Sequence, residues 1–190
     1  MPQISVKSRI VDNAMGVFLE KGFDAASIQD LVDAAGVPKG SFYNHFSGKE
    51  ELAVEITRRY VAGIGFDELY VRSTPPLHRL REHLLSSAAL RTEVSGPHGC
   101  LLGNFSTGVS AANEALRAQV AGGLDQWTAA VAAVLAEAQR AGELDAARDP
   151  QALARYLVDG LEGAIARAKV SGDRGVLAEW LDITFAVLLA

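Results

Sequence analysis

The stretch Val37-Pro38-Lys39-Gly40-Ser41-Phe42-Tyr43-Asn44-His45-Phe46 reads as one short helix with three different faces. Gly36 ends whatever precedes it, and Pro38 suits a first helical position, where its fixed φ is ready for a helix and its missing N–H is not needed. At about 100° per residue, Phe42 and Phe46 point the same way, toward a core. The opposite face carries Gly40, Ser41 and Asn44, with Lys39 and Tyr43 along one edge and His45 along the other. A DNA major groove calls for close backbone approach, polar groups for base edges and flanking donors for phosphates. This one face offers all three.

The flanks supply a frame for it. From Ser8 to Gly22, Ile10, Ala14, Val17 and Phe18 repeat at helical spacing, and Phe23 follows the closing glycine as a core plug. Ser27 with Asp30 three residues on is an N-cap arrangement for a short helix lined by Ile28, Leu31, Val32 and Ala35. A helix, a tight glycine turn and a second short helix with an aromatic back make a helix-turn-helix, and the first helix closes a core of Ile10, Val17, Phe18, Phe23, Ile28, Leu31, Phe42 and Phe46. Ser47 and Glu50 predict a capping box for the next helix, which runs through Leu52, Ile56, Tyr60 and Ile64. Lys49 falls in its first turn, where the helix dipole disfavours a cation unless an anion such as a DNA phosphate approaches.

Composition agrees with a local DNA site and opposes a bulk one. The formal net charge is −5, so the chain lacks the clustered Lys and Arg that drive binding by counterion release. From Ala34 to Gly48, however, no acidic residue occurs. Hydrophobic content is 49%, led by Ala and Leu, which favours helices over sheets. The single cysteine, Cys100, excludes an intrachain disulfide and a multi-cysteine zinc site. There is no apolar signal segment at the N-terminus, and the apolar run around Ala129 to Ala136 is far short of the roughly 20 residues that span a bilayer. A cytoplasmic protein without membrane contact is expected.

Beyond Pro75-Pro76 the chain continues as helices. Leu77, Leu80, Leu84, Leu85 and Ala88 mark one, Ser95-Gly96-Pro97-His98-Gly99 is a loop, and Cys100 to Phe105 opens an apolar segment. A long helix from Asn113 carries Val120, Leu124, Trp127, Val131, Val134 and Leu135, with a kink expected at Gly122-Gly123. Asp149 and Pro150 start the next, with Leu153, Leu157, Leu161 and Ile165 on one side and Gly160, Gly163 and Ala164 as small residues. A last helix presents Leu177, Leu181, Thr184, Phe185 and Leu188. These two final helices are apolar enough to need partners, and pairing with a second copy, with Trp180 and Phe185 in the contact, would bury them.

The order Gly22-Phe23-Asp24-Ala25-Ala26-Ser27-Ile28, then Ala35 to Phe46, then Lys49-Glu50-Glu51-Leu52 strongly resembles the TetR family of transcriptional regulators. The close match covers about the first 60 residues. The resemblance implies an all-α fold with a three-helix helix-turn-helix DNA-binding domain over residues 1–60 and a helical ligand-sensing and dimerisation domain over 61–190. It implies a homodimer, joined through the two C-terminal helices, that binds a near-palindromic double-stranded DNA operator, most often as a repressor released by a small molecule. The family's DNA contacts map onto Ser27, Lys39, Ser41, Tyr43, His45 and Lys49. Gly40 and Asn44 join them from the helical wheel, and Asn44, at a position variable in the family, is the candidate for a base contact.

The sensing half is less explicit. Gly99-Cys100-Leu101-Leu102 and Ala168-Lys169-Val170-Ser171 resemble the branch that includes the N-ethylmaleimide-responsive repressors, which makes Cys100 and Lys169 candidates for sensing an electrophile. The alternative for Cys100 is a small buried core side chain, which free cysteines usually are. Phe66, Tyr70, Phe105, Trp127 and Tyr156 could line an apolar ligand pocket or simply fill the core. His78, His83 and His98 lack metal-ligand spacing. No catalytic constellation and no cofactor motif occurs, so no enzyme is expected. The alternative function is an all-α small-molecule-binding protein without a DNA role, against which the Lys39-to-Lys49 face speaks.

Overall fold

The computed structural model describes residues 5–91 and 98–189, so residues 95–97 of the expected glycine-proline loop lie outside the described residues. Every regular element among the described residues is helical. The chain divides into two compact units, one formed by residues 1–61 and 101–123, the other by 62–100 and 124–190.

The first unit contains α1 (Val6–Ala25), α2 (Ile28–Ala35), α3 (Lys39–Tyr43), most of α4 (Lys49–Ala62), α6 (Leu101–Gly108) and the start of α7 (Glu114–Arg140). Gly22 interrupts α1 with φ 75° and ψ 175°, a conformation that favours glycine, and this turns Phe23 inward. Ser27 and Asp30 form the predicted reciprocal cap of α2, and Gly36 ends that helix in the left-handed region. Arg9 on α1 donates from Nη2 to the carbonyls of Ala35 and Gly36 at 2.8 and 3.0 Å, occupying acceptors at the end of α2. The two helices of the motif are thus pinned to the third. Ile10, Phe18, Phe23, Leu31, Phe42 and Phe46 are buried together as expected, while Val17 and Ile28 are only half-buried.

Local expectations shift at the helix ends. The recognition segment is helical only over Lys39–Tyr43; Pro38 has ψ 144° and stands just before the helix, and Phe46 lies beyond it yet remains buried. The capping box expected at α4 from Ser47 and Glu50 does not form, and only a carboxylate contact one residue later is made. Glu51, not Glu50, accepts the Ser47 N–H at 2.7 Å and the Ser47 hydroxyl at 2.8 Å, because the helix begins at Lys49. Helix α7 runs through Gly122-Gly123 without a break in its helical assignment. Gly123 serves packing instead: a Cβ there would lie 2.7 Å from Val61 Cγ2 and 3.3 Å from Leu102 Cδ2.

The second unit holds a 3₁₀ turn (Phe66–Tyr70), α5 (Pro76–Ala89), the rest of α7, α8 (Pro150–Ser171), α9 (Gly175–Ile183) and a terminal π turn (Thr184–Leu188). Asp149 caps α8 through the Gln151 N–H, and Pro150 follows, as read from sequence. Two carboxylates tie α5 to α7 and the turn that follows it: Glu143, just past α7, accepts the Leu77 N–H at 3.0 Å, and Glu137 on α7 pairs with buried Arg79 at 2.6 Å. Gly160 admits the Trp180 indole, whose Nε1 would be 2.9 Å from a Cβ at that position, so this small residue lets α8 and α9 approach within one chain.

Candidate functional site

The buried back of α3 decides what its front displays. Phe42 and Phe46 are buried with ring centroids 5.6 Å apart, which fixes the helix in rotation. Lys39, Gly40, Tyr43, Asn44 and His45 are then all exposed, Tyr43 by 53%, and Ser41 is half-buried. The structure therefore brings six of the eight expected DNA contacts to one surface. Tyr43 stands edge-on to Phe42 at 5.4 Å, which supports the ring from behind and leaves the phenol outside. At Gly40 a Cβ would meet no atom within 4 Å, and the backbone has no unusual φ. Neither a close neighbour nor the backbone conformation requires glycine there.

The other two expected contacts are engaged internally. Ser27 donates both its N–H and its hydroxyl to Asp30 Oδ2, at 2.9 and 2.7 Å. Lys21, 2.6 Å from the same carboxylate, holds the Asp30 acid well below the usual range, with Ser27 adding to the effect. Lys49 points its ammonium at the carbonyls of Phe23, Asp24 and Ala26, at 2.8, 2.9 and 3.1 Å, and sits 4.7 Å from the centre of the Phe23 ring. It ties the start of α4 to the link between α1 and α2. Sequence reasoning missed this clamp because its acceptors are main-chain atoms some 25 residues away, and no side-chain spacing reports them. Lys49→Met is expected to lower stability by about 2 kcal/mol, since charge-assisted hydrogen bonds are lost and carbonyls released. A urea midpoint unchanged by the substitution would show that the clamp carries no energy.

The aromatic candidates of the sensing half fall in different places. Phe105 belongs to the first unit, where it packs edge-on against Phe18 at 5.5 Å and Phe23 at 6.1 Å. Tyr156 is 63% exposed on α8, Tyr70 is exposed, and Lys169 is exposed in the last turn of α8. Trp127 and Cys100 lie inside the second unit, fully buried and 2% exposed respectively. Around them is a polar core that the sequence reading did not assemble. Trp127 Nε1–H donates to His83 Nε2 at 3.0 Å, the Arg91 guanidinium lies 4.7 Å over the indole, and the Cys100 thiol is hydrogen-bonded to Glu162. Burial, with Arg91 nearby, lowers the His83 pKa to about 4, and burial raises that of Glu162. The available signal was a row at four-residue spacing, Arg79, His83, Ser87 and Arg91, beside the apolar row Leu80, Leu84 and Ala88.

Among the described residues, no group of three or more His, Cys, Asp and Glu could hold a metal ion, and no helix is long and apolar enough to cross a membrane.

Comparison with known proteins covers both halves. Residues 10–56 match the sequence profile "Bacterial regulatory proteins, tetR family", and residues 76–183 match "Tetracyclin repressor-like, C-terminal domain". The chain is 32% identical to the HTH-type transcriptional repressor DhaR of Mycobacterium sp. (strain GP1), over all of this chain and 95% of that one. It is 35% identical to the transcriptional regulator AcuR of Cereibacter sphaeroides, over 80% of this chain and 70% of that one. Its fold superposes on the regulatory protein TetR from Rhodobacter sphaeroides with a TM-score of 0.85 at 31% identity, covering 95% and 96% of the two chains. The reduced form of E. coli NemR gives 0.83 at 24% identity, covering 93% of each, a likeness of fold alone.

Proposed function

The chain belongs to the TetR family of bacterial regulatory proteins, and on that premise we propose that it binds a near-palindromic operator as a homodimer through the exposed face of α3 and releases it when a small molecule enters the second unit. The protein is a DNA-binding, ligand-responsive transcriptional regulator, not an enzyme. The observation that carries the DNA reading is the α3 surface, polar in front and anchored by Phe42 and Phe46 behind, in a stretch without acidic residues. In this reading Gly40, Ser41 and Asn44 approach base edges, and Lys39, Tyr43 and His45 approach phosphates. Ser27 and Lys49 act first by ordering the ends of α2 and α4, and their outer surfaces border the phosphates.

We assign residues 1–60 to DNA binding and 61–190 to sensing and dimerisation, in a protein of the cytoplasm. Exposed Tyr156, Val170, Ile183 and Val187, on α8, α9 and the terminal turn, support pairing of those helices with a second copy. Two recognition helices then address half-sites about 34 Å apart.

The two effector modes expected from sequence, a reversibly bound ligand and a modified thiol, are not supported equally. The Cys100 side chain is only 2% exposed, which shields it from a reagent in solution. Reversible ligand binding is therefore the reading adopted, with Trp127 and Cys100 at the site. Chain connectivity suits a relay: Cys100 directly precedes α6, whose Phe105 enters the Phe18 and Phe23 core, and Trp127 lies on α7, four residues past Gly123.

Selection of bound sequences from a random duplex pool, followed by footprinting, tests the DNA function. A protected palindrome is the expected result, and failure to enrich any sequence would overturn it. Gly40→Ala provides the control. It should leave thermal stability unchanged or raise it by about 0.5–1 kcal/mol, because alanine favours a helix over glycine, yet weaken operator binding tenfold or more. Unchanged affinity would remove Gly40 from the interface.

A further inference from the structure

Four residues apart along and just beyond α5, Arg79, His83, Ser87 and Arg91 make a buried polar row facing the interior of the second unit. The first is explained by folding, since Arg79 meets Glu137 and the Thr74 carbonyl. The middle two are not. His83 Nδ1 and Ser87 Oγ are buried without a hydrogen bond, and so is Oε1 of Glu162 on α8. Buried polar atoms are nearly always satisfied in native proteins, and orphans on His83 and Ser87 one helical turn apart, with a third on Glu162 of the same unit, point to a missing partner.

The chemistry of that partner follows from the protons. Because His83 Nε2 accepts from the Trp127 indole N–H, its lone pair is committed there, and in the neutral imidazole the proton must sit on Nδ1. Nδ1 is thus an unused donor. The Ser87 hydroxyl is a second, one helical turn away. The Arg91 guanidinium, lying over the same indole, adds fixed positive charge. Two donors and a cation require acceptor oxygens, preferably charged ones. The Glu162 carboxyl does not oppose this, since burial shifts it toward the neutral acid, which can donate from Oε1.

We propose that the effector is a compact organic carboxylate, its oxygens accepting from His83 Nδ1–H and Ser87 Oγ–H within the field of Arg91 and its body lying against the face of Trp127. The proposal rests on the ligand-responsive reading above and adds the chemical class and the residues that select it. A carboxylate offers about four lone-pair sites in one plane, enough for both donors and the cation at once, where an alcohol or amine does not. Cys100 contributes its hydrogen bond to Glu162 and no covalent step.

Titration calorimetry on the full-length protein, without DNA, tests this with a panel of monocarboxylates from acetate through hexanoate and benzoate, each beside its primary amide and alcohol. At least one carboxylate should bind while its amide and alcohol do not. Ser87→Ala, a substitution small enough to leave the fold intact, should weaken that binding about tenfold, as loss of one hydrogen bond to a charged group does. Absence of binding across the panel, equal binding of the uncharged counterparts, or Ser87→Ala binding as tightly as wild type would overturn the proposal, the last showing that the orphan groups are served by water only. Operator binding, assayed separately without added carboxylate, reports on the regulator reading, so either idea fails without the other.

Discussion

Trp127→Ala is expected to cost about 3–5 kcal/mol of unfolding free energy, the range for removing a large aromatic from a packed core. The indole is fully buried, so the transfer and cavity costs apply in full. Two further losses are particular to this site. His83 Nε2 would lose the indole donor at 3.0 Å, and the Arg91 guanidinium would lose the ring it covers at 4.7 Å. Trp127→Phe separates the contributions: it keeps most of the ring but leaves a buried acceptor without a proton, a penalty of about 1–3 kcal/mol. Urea unfolding of the two variants against wild type checks both values. A Phe variant as stable as wild type would mean that the indole hydrogen bond contributes nothing net, and an Ala variant losing under 1 kcal/mol would mean that the second unit is not built around this residue.

Much of the fold was legible from short-range signals. Ser27 with Asp30, Gly36, and Asp149 with Pro150 each announce a helix end through chemistry that acts within four residues, and the structure places helix ends there, while Gly22, expected to close α1, interrupts it and the helix runs on to Ala25. The α3 face was legible for the same reason, because five residues on one turn and a half suffice to show an aromatic back and a polar front. What failed depends on counting or on distance. The carboxylate contact to Ser47 falls to Glu51, not Glu50, because the helix starts one residue later than Ser47 suggested. The Gly122-Gly123 pair was read as a kink, but glycine there answers to Val61 and Leu102, neighbours that only the tertiary structure identifies. Leu85, one of the apolar residues that mark α5 in the sequence, is 46% exposed. The buried face is rotated toward Arg79, His83 and Ser87, a choice that hydrophobicity alone disfavours and that the long-range partners Glu137 and Trp127 make possible.

Acidification is expected to destabilise the protein between pH 6.5 and about 4, through His83. Its pKa is lowered from 6.5 to about 4 by burial and then by Arg91, so the unfolded chain takes up a proton in that interval while the folded one does not. Stability is complete above 6.5, falls with pH through the window and levels off below the folded value. The difference corresponds to about 3 kcal/mol at 1.36 kcal/mol per pKa unit. Glu162 has the opposite sign: its folded pKa is raised above 4.5, so its burial is penalised least in acid and increasingly as pH rises through the folded value. The wild-type curve is therefore the shallower sum of two opposed terms, and Glu162→Gln should uncover the full His83 slope. Asp30 does not interfere, since a carboxylate lowered from 3.8 loses its contribution only below that pH. Urea midpoints for wild type and Glu162→Gln at steps from pH 7.5 to 4.5 decide the matter. A Glu162→Gln protein with a flat profile across that range would show that folded His83 takes up its proton in step with the unfolded chain, and a proton on Nε2 is incompatible with its accepting the Trp127 hydrogen bond.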